Sequence, residues 1–248
     1  MPEEPLLPGP PSPPSPQPSA PEPPQPELPQ PEPPQLESLS PELKPLLREL
    51  EDGLVQMQIS LDDLQKQSLL GYLQLLSKWN RVHNLTAVRD VQQMVSRHLL
   101  DSLSILPFVD GDTLTDVGTG AGLPGIPLAV AKPHMNVTLV DCVAKKTRFI
   151  EHASSQLRIN NVQVMHARVE NLRLQSELVV ARAFASLDKL ALLSGHLLPV
   201  GGRLLALVGH VPKPAVLENV SGFSVSKVAR LAIPGETAQR NIVVLQRD

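Results

Sequence analysis

Hydrophobic residues in the first half of the chain recur every three to four positions, which is the spacing of one face of an α-helix. The pattern predicts three helices, over about residues 40–57, 60–79 and 91–106. Ser40 and Ser60 are the expected N-caps of the first two helices, because a serine side chain accepts hydrogen bonds from the free N–H groups of a first turn. Pro41 suits the first helical position. Tyr72 and Trp79 lie on the apolar face of the second helix, so we expect both to pack in the core.

Short apolar runs alternate with helical stretches from Thr113 onward. The expected strands are 114–117, 137–141, 162–166, 178–181, 203–208 and 242–245. The expected helices among them are 123–131, 145–159 and 187–197. This alternation is typical of α/β proteins, so we predict a doubly wound, mostly parallel sheet. Ligands of such sheets bind at the carboxyl ends of the strands, next to the point where the strand order reverses.

Three glycines follow the first predicted strand within five residues: Gly118, Gly120 and Gly122. Glycine has no Cβ, so its backbone can take a positive φ and approach a ligand closely. The helix that follows directs its free N–H groups toward the same place. The turn therefore predicts a binding site for a nucleotide-like cofactor.

The second predicted strand ends in Asp141, 19 residues after Gly122. A carboxylate at this position can accept hydrogen bonds from both hydroxyls of a ribose, in NAD sites and in S-adenosylmethionine sites alike. The turn reads G-x-G-x-G with Leu123 next, whereas a dinucleotide site usually has G-x-G-x-x-G to seat a pyrophosphate. The spacing favours S-adenosylmethionine, which has no phosphate, and an NAD(P)-dependent oxidoreductase is the alternative.

The N-terminal stretch differs from the rest of the chain in composition. Residues 1–36 contain 17 of the 27 prolines and five glutamates, with neither lysine nor arginine. We expect residues 1–38 to be a disordered, acidic, proline-rich tail, because too little apolar surface offsets the entropy of ordering. A helical segment, 39–110, and a domain with alternating strands and helices, 111–248, then follow. The P-x-x-P repeats leave open a non-catalytic interaction module, although a linker or a solubilising tail is the preferred interpretation.

The charge of the folded part argues against RNA binding over a wide surface. The whole chain has a net charge of −3; without the five glutamates of residues 1–36, 20 acidic residues stand against 22 lysines and arginines. Proteins that bind nucleic acid through phosphates alone usually have a larger basic excess, so we expect any RNA contact to be a local patch.

The single cysteine, Cys142, excludes an internal disulfide and a cysteine-based zinc cluster. We expect its side chain to be packed, and we expect no metal site. No apolar run approaches the ~20 residues of a membrane span. The expected protein is a soluble, cytoplasmic monomer without a membrane partner.

Motifs of several methyl-transfer chemistries are absent from the sequence. It contains no Asn-Pro-Pro-Tyr or Asp-Pro-Pro-Tyr run for an exocyclic amino group and no pair of cysteines for attack on a pyrimidine carbon. A ring nitrogen with a free lone pair needs no general base and reacts once it is aligned. The lack of an evident base therefore agrees with methylation of a ring nitrogen.

Four motifs occur in order along the chain: KWNRVHNLTAVRD (78–90), RHLLDS (97–102), DVGTGAGLPGIP (116–127) and RAFASL (182–187). Together they resemble the small-subunit ribosomal RNA guanine-N7 methyltransferase family, also called glucose-inhibited division protein B, from about residue 50 to the C-terminus. The resemblance implies a seven-stranded S-adenosylmethionine-dependent methyltransferase domain behind a small helical segment. It also implies methyl transfer to N7 of a guanine in the 530 loop of bacterial 16S rRNA, either naked or in an assembly intermediate of the small subunit. Because A-form RNA hides that base edge in a deep groove, we expect the target in a loop or a splayed segment.

The resemblance assigns residues to the cofactor site. Gly118 and Leu123 are expected to line it, Gly120 and Gly122 to shape its turn, and Asp141 to bind the ribose. A second group, Val169 and Glu170, resembles the adenine-side pair of the family.

Arg182, directly after the fourth strand, is the expected catalytic residue and a further cofactor contact. Its guanidinium is expected to hold the carboxylate of the methyl donor or to orient guanine through O6, so its loss should be the most damaging. Val208 departs from the family, which often has lysine there; this weakens an RNA contact unless His210 or Lys213 compensates. The remaining polar groups are interpreted as ordinary helix surface: Arg97, His98, Asp101 and Ser102 in one set, and Lys145, Lys146 and Arg148 in the other.

Overall fold

The computed structural model describes residues 43–183 and 186–248. The α-helices of these residues are α1 (Lys44–Gln56), α2 (Asp63–His83), α3 (Val91–Met94), α4 (Asp101–Leu103), α5 (Gly125–Ala131), α6 (Ala144–Gln156), α7 (Leu187–Ser194) and α8 (Pro214–Leu217). The strands are β1 (Thr113–Val117), β2 (Asn136–Asp141), β3 (Val162–His166), β4 (Leu178–Arg182), β5 (Arg203–Val208), β6 (Phe223–Leu231) and β7 (Arg240–Arg247). The predicted tail, 1–38, and the predicted cap at Ser40 and Pro41 lie outside the described residues.

The seven strands form one sheet in the order β3-β2-β1-β4-β5-β7-β6. Strands β1 to β5 run parallel to one another, whereas β7 is antiparallel to both β5 and β6. The chain moves outward from β1 through β2 to β3 and then returns to β4 on the other side of β1. The predicted α/β class with a doubly wound, mostly parallel sheet is therefore confirmed, and the strand order reverses between β1 and β4.

Strand β6 is the one strand of the described residues that the apolar pattern did not predict. Its terminal residues Phe223 and Leu231 are buried, but most side chains between them are exposed because β6 lies at the edge of the sheet. Lys227 and Arg230 stand among them. Charges on an edge strand discourage pairing with other chains, and they also remove the apolar signal that marks a buried strand.

The N-cap of α2 is Asp62, so the expectation of Ser60 as its cap was wrong. The Asp62 carboxylate accepts the backbone N–H of Gln65 at 2.8 Å, and the Gln65 side chain accepts the backbone N–H of Asp62 at 2.9 Å. This reciprocal pair satisfies two free N–H groups at once. The helix therefore begins two residues later than a Ser60 cap would place it.

The third predicted helix is divided by a π-helical stretch. Between α3 and α4, residues Val95–Leu100 form π-helical turns, and a 3₁₀ helix, Leu106–Phe108, follows α4. A π turn contains one residue more than an α turn and is frequent at functional sites. Arg97 and His98 lie within this stretch, and Asp101 follows it directly.

Side chains from the helices cover both faces of the sheet. One core contains residues of α1, α2, α5 and α6 together with Leu114 and Val180, and the other contains residues of α7 with Val117 and Val179. Neighbours Val179 and Val180 point to opposite faces, as the two-residue period of a strand requires. The carboxyl edge of the strands thus remains for a ligand. No helix in the described part of the chain is long and apolar enough to span a membrane.

Candidate active site

The glycine turn after β1 is held in a left-handed backbone conformation. The φ angles are 68° at Gly118, 65° at Gly120 and 95° at Gly122, a region that favours glycine. The N–H groups of Gly118 and Thr119 both donate to the carbonyl oxygen of Val140, at 2.9 and 3.0 Å. A Cβ on Gly122 would stand 2.7 Å from Cγ1 of Ile126. The turn is therefore fixed to β2 and pressed against the start of α5.

Asp116, within β1, holds the glycine turn in place through two hydrogen bonds. Its carboxylate is fully buried and accepts hydrogen bonds on Oδ2 from the Thr119 hydroxyl at 2.6 Å and from the Gly125 N–H at 2.8 Å. Burial raises the pKa of this carboxyl to about 6, although both hydrogen bonds act to lower it. No role was predicted for Asp116 from the sequence; the signal available was a carboxylate within a predicted buried strand.

Asp141 is positioned at the carboxyl end of β2 by three donors. Gly120 N–H and Lys146 Nζ lie 3.0 and 3.2 Å from Oδ2, and Val143 N–H lies 2.9 Å from Oδ1. The side chain is 5% exposed. An ionised carboxylate can accept about four hydrogen bonds, so capacity remains for a ligand. The interpretation of Lys146 as ordinary helix surface was wrong, because it pairs with this carboxylate.

A cavity of ≈ 480 Å³ opens beside Asp141. The predicted cofactor residues along its wall are Gly118, Asp141, Val169 and Glu170. Cys142 is exposed and lines the same cavity, so the expectation that it is packed was wrong. The reason is local: β2 ends at Asp141, and the next residue is no longer inside the sheet.

Three of the other four residues assigned to the cofactor site lie behind this wall. Gly120 reaches the site through the N–H that it donates to Asp141, and Gly122 through the bend of the turn. Leu123 is buried in the core beneath the turn. Tyr72 is also buried there and donates its hydroxyl to the carbonyl oxygen of Ala121 at 2.8 Å. Core packing of Tyr72 is thus confirmed, and burial raises the pKa of its phenol.

Arg182 lies at the end of β4 and lines a second cavity, of ≈ 810 Å³. Ala183 lines both cavities, so the two adjoin at the carboxyl end of β4. The charged or titratable side chains around the larger cavity are those of Arg97, His98, Asp101, Arg182, Glu236 and Arg240. Arg182 therefore lines the larger cavity and not the smaller one beside Asp141, although the two cavities adjoin.

A buried carboxylate joins two of these arginines. Asp101, 2% exposed, accepts Arg182 Nη1 on Oδ2 at 2.8 Å and Arg240 Nε on Oδ1 at 3.1 Å. A further bond runs from Arg182 Nη1 to the Arg97 carbonyl oxygen at 3.3 Å. Arg240 comes from β7 and was not singled out in the sequence, where it is one arginine among many without a distinguishing pattern.

The RHLLDS residues are not ordinary helix surface, and that expectation was wrong for three of the four. His98, Asp101 and Ser102 are buried, whereas Arg97 is half exposed and pairs with Glu236 at 3.1 Å. The His98 Nε2 atom lies 2.9 Å from the Thr86 hydroxyl. Burial, reinforced by the Arg182 charge, lowers the pKa of His98 to about 4, so the ring is neutral at neutral pH.

Val208, at the end of β5, lines the larger cavity. His210 and Lys213, expected to compensate for the missing lysine, are both exposed, and within the described ranges neither lines either cavity. Compensation by these two residues stays a prediction. Val208 adds an apolar side chain to a cavity that Leu187, Leu190 and Leu207 line together with three arginines.

The chain is similar to known methyltransferases in sequence and in fold. Residues 65–243 match the family model described as rRNA small subunit methyltransferase G. Ribosomal RNA small subunit methyltransferase G of Marinobacter nauticus is 45% identical over 201 residues, covering 80% of this chain and 94% of that protein. The Edwardsiella ictaluri protein of the same name is 42% identical over 207 residues, covering 82% of this chain and 100% of its own length. In fold, the chain is similar to magnesium protoporphyrin IX methyltransferase of Synechocystis PCC 6803, with a TM-score of 0.50, 17% identity, and coverage of 76% and 99% of the two chains.

Proposed function

Because the chain belongs to the rRNA small subunit methyltransferase G family, we propose that it transfers a methyl group from S-adenosylmethionine to N7 of a guanine in the 530 loop of 16S rRNA. The observation that carries this proposal is the pair of adjoining cavities at the carboxyl edge of the sheet. One contains the held carboxylate of Asp141, and the other contains the guanidiniums of Arg182 and Arg240. Direct methyl transfer requires the donor and the acceptor to bind next to each other, as two adjoining cavities allow.

The smaller cavity fits S-adenosylmethionine. Asp141 faces it with acceptor capacity to spare, Val169 supplies an apolar surface, and Gly118 lets the backbone come close. Asp141 would hold the ribose, while Val169 and Glu170 would lie on the adenine side. S-adenosylmethionine bound there supplies a methyl group that its sulfonium makes electrophilic. The turn has the spacing G-x-G-x-G and not G-x-G-x-x-G, the pattern that places a pyrophosphate at a helix N-terminus in dinucleotide sites.

The larger cavity suits the Hoogsteen edge of guanine. O6 on that edge is an acceptor, and arginine has only donors, so a guanidinium can bind O6 while N7 keeps its lone pair for the reaction. N7 carries no proton in guanine, so its attack requires alignment and no general base. The neutral His98 and the ion-paired Asp101 are consistent with that chemistry, because neither has to remove a proton.

The proposed substrate is 16S rRNA, either free or in an assembly intermediate of the small subunit, with a single copy of the chain acting in the cytoplasm. The larger cavity has three arginines against two carboxylates, so it can accept an anionic, splayed segment of RNA.

A mass measurement of RNA tests the proposed function. Small-subunit RNA from a strain that lacks this chain should have lost one N7-methylguanosine in a nuclease digest. A plasmid copy of the wild-type chain should restore it, whereas an Asp141→Ala copy should not. An unchanged digest in the deletion strain would overturn the proposal, and calorimetric binding of NAD in place of S-adenosylmethionine would favour the oxidoreductase.

A further inference from the structure

Asp101 holds two arginines that come from separate strands. Arg182 ends β4 and Arg240 begins β7, and β5 lies between these strands in the sheet. Each guanidinium contributes one contact to a different oxygen of the same carboxylate, Nη1 of Arg182 to Oδ2 and Nε of Arg240 to Oδ1. The carboxylate is almost fully buried, whereas the two arginine side chains are 23% and 33% exposed. Asp101 is thus the inner member of the trio, and the guanidiniums face the cavity.

Stability alone does not explain this arrangement. Taking three charged groups out of water costs free energy that their attraction repays only in part, so buried ion pairs are weak evidence of a stabilising role. The arginines also keep unused donors. Within the described ranges, no hydrogen bond involves Nε or Nη2 of Arg182, or Nη2 of Arg240. These N–H groups are available to a ligand in the cavity.

We propose that Asp101 is a positioning residue for methyl transfer: it fixes Arg182 and Arg240 at the guanine-binding cavity and offsets one of their two positive charges. This inference rests on the proposed function. As the reaction proceeds, N7 uses its lone pair to bond the methyl carbon and the carbon–sulfur bond breaks with its electrons on sulfur. The positive charge therefore moves from sulfur to the purine, and no proton is transferred.

The charge movement explains why a carboxylate belongs beside the arginines. Two uncompensated guanidiniums would repel a purine that becomes positive, whereas the trio with Asp101 has a net charge of +1. The guanidiniums must also remain clear of N7, since a hydrogen bond to N7 would occupy the lone pair that reacts. Fixed donors can bind O6 or a flanking phosphate and leave N7 free.

The test compares wild type with Asp101→Asn. Asparagine has nearly the same shape, but it has one acceptor oxygen and no charge, so it cannot hold two guanidiniums. We expect kcat for 16S rRNA to fall about 10- to 100-fold, a range ordinary for one misaligned group. The affinity for S-adenosylhomocysteine should stay within about threefold, because Asp101 does not line the cofactor cavity. Asp110→Asn is the matched control, since Asp110 pairs with Arg203 at an exposed position that lines neither cavity.

Two further measurements separate positioning from mere structural support. In ¹⁵N-labelled protein, the guanidinium N–H signals of Arg182 and Arg240, identified by their loss in lysine variants, should be sharp in wild type and broadened in Asp101→Asn. The kcat of Asp101→Asn/Arg240→Lys should lie within about threefold of the worse single variant, because both changes break the same contact.

A kcat of Asp101→Asn within twofold of wild type would overturn the inference, and so would losses that multiply in the double variant. If Asp101→Asn fails to fold, Arg240→Gln replaces it: kcat should fall with S-adenosylhomocysteine affinity intact, and an unchanged kcat overturns the inference. If wild type methylates no guanine, the proposed function fails instead, while the guanidinium signals still report whether Asp101 holds the arginines.

Discussion

Replacing Asp141 by asparagine tests the cofactor site most sharply. Both carboxylate oxygens already accept N–H groups, Gly120 N–H on one side and Val143 N–H on the other. Asparagine can accept on only one side, so its NH₂ group must face a donor on the other. The variant therefore loses the charge offered to the ribose and disturbs the turn that carries Gly120.

The expected magnitude follows from the bonds that are lost. A hydrogen bond to a charged group contributes about 1.5–3 kcal/mol, and 1.4 kcal/mol corresponds to about a tenfold change in affinity. Loss of one ribose hydroxyl bond therefore weakens S-adenosylhomocysteine binding by about 10- to 150-fold. Isothermal titration calorimetry measures this change directly, and Asp110→Asn, which removes an exposed carboxylate elsewhere, is the control.

A deoxyribose ligand separates a direct contact from a general disturbance. Wild type should bind S-adenosylhomocysteine more tightly than its 2′-deoxy analogue, and Asp141→Asn should lose most of that preference. If the variant binds S-adenosylhomocysteine as tightly as wild type, or keeps the full preference for the ribose form, Asp141 does not hold the ribose and the reasoning is refuted.

Three further predictions address the cavity wall, the buried histidine and the turn. Cys142 is the single cysteine and lines the cofactor cavity, so saturating S-adenosylhomocysteine should slow its alkylation by a maleimide at least tenfold. The rate is measured by mass spectrometry of quenched samples, and an unchanged rate would place the cofactor elsewhere. The pKa of His98 is lowered to about 4, so the unfolded state binds a proton first as the pH falls below about 6.5, whereas the raised pKa of Asp116 acts in the opposite direction. The histidine is therefore isolated as a difference: between pH 6.5 and 4, the free energy of unfolding of wild type should drop by up to about 3 kcal/mol relative to that of His98→Asn in urea titrations. The exposed His134→Asn should follow wild type. Gly122→Ala should lower the free energy of unfolding by about 1–3 kcal/mol, because φ is 95° and the new Cβ meets Ile126, whereas Gly209→Ala, with open space around it, should have little effect on urea unfolding.

The parts of the fold that depend on local pattern were predictable. Strands β2 and β4 are largely buried and rich in valine and leucine, and the glycine turn after β1 combines a residue type with a backbone conformation that few other residues adopt. Asp141 followed from the same logic, because a polar residue at the carboxyl end of a buried strand has a functional reason to be there. These features are short-range in sequence.

The larger cavity could not be predicted because its contacts join distant segments. Asp101 and Arg182 are 81 residues apart, and Asp101 and Arg240 are 139 apart. His98 lies in the π-helical stretch and Asp101 follows it, and both are buried although they are polar. Likewise, β6 was missed because an exposed edge strand has no apolar alternation to detect.

The measurement that tests the central claim most directly is methylation of defined RNA by the purified chain. Small subunits and free 16S rRNA from the deletion strain are incubated with S-adenosylmethionine, digested with nuclease and analysed by mass. We predict one new N7-methylguanosine in the 530-loop fragment of at least one of these substrates. No incorporation into either, or a methyl group on a different atom or outside that loop, would contradict the assignment of this chain as a guanine-N7 methyltransferase of 16S rRNA.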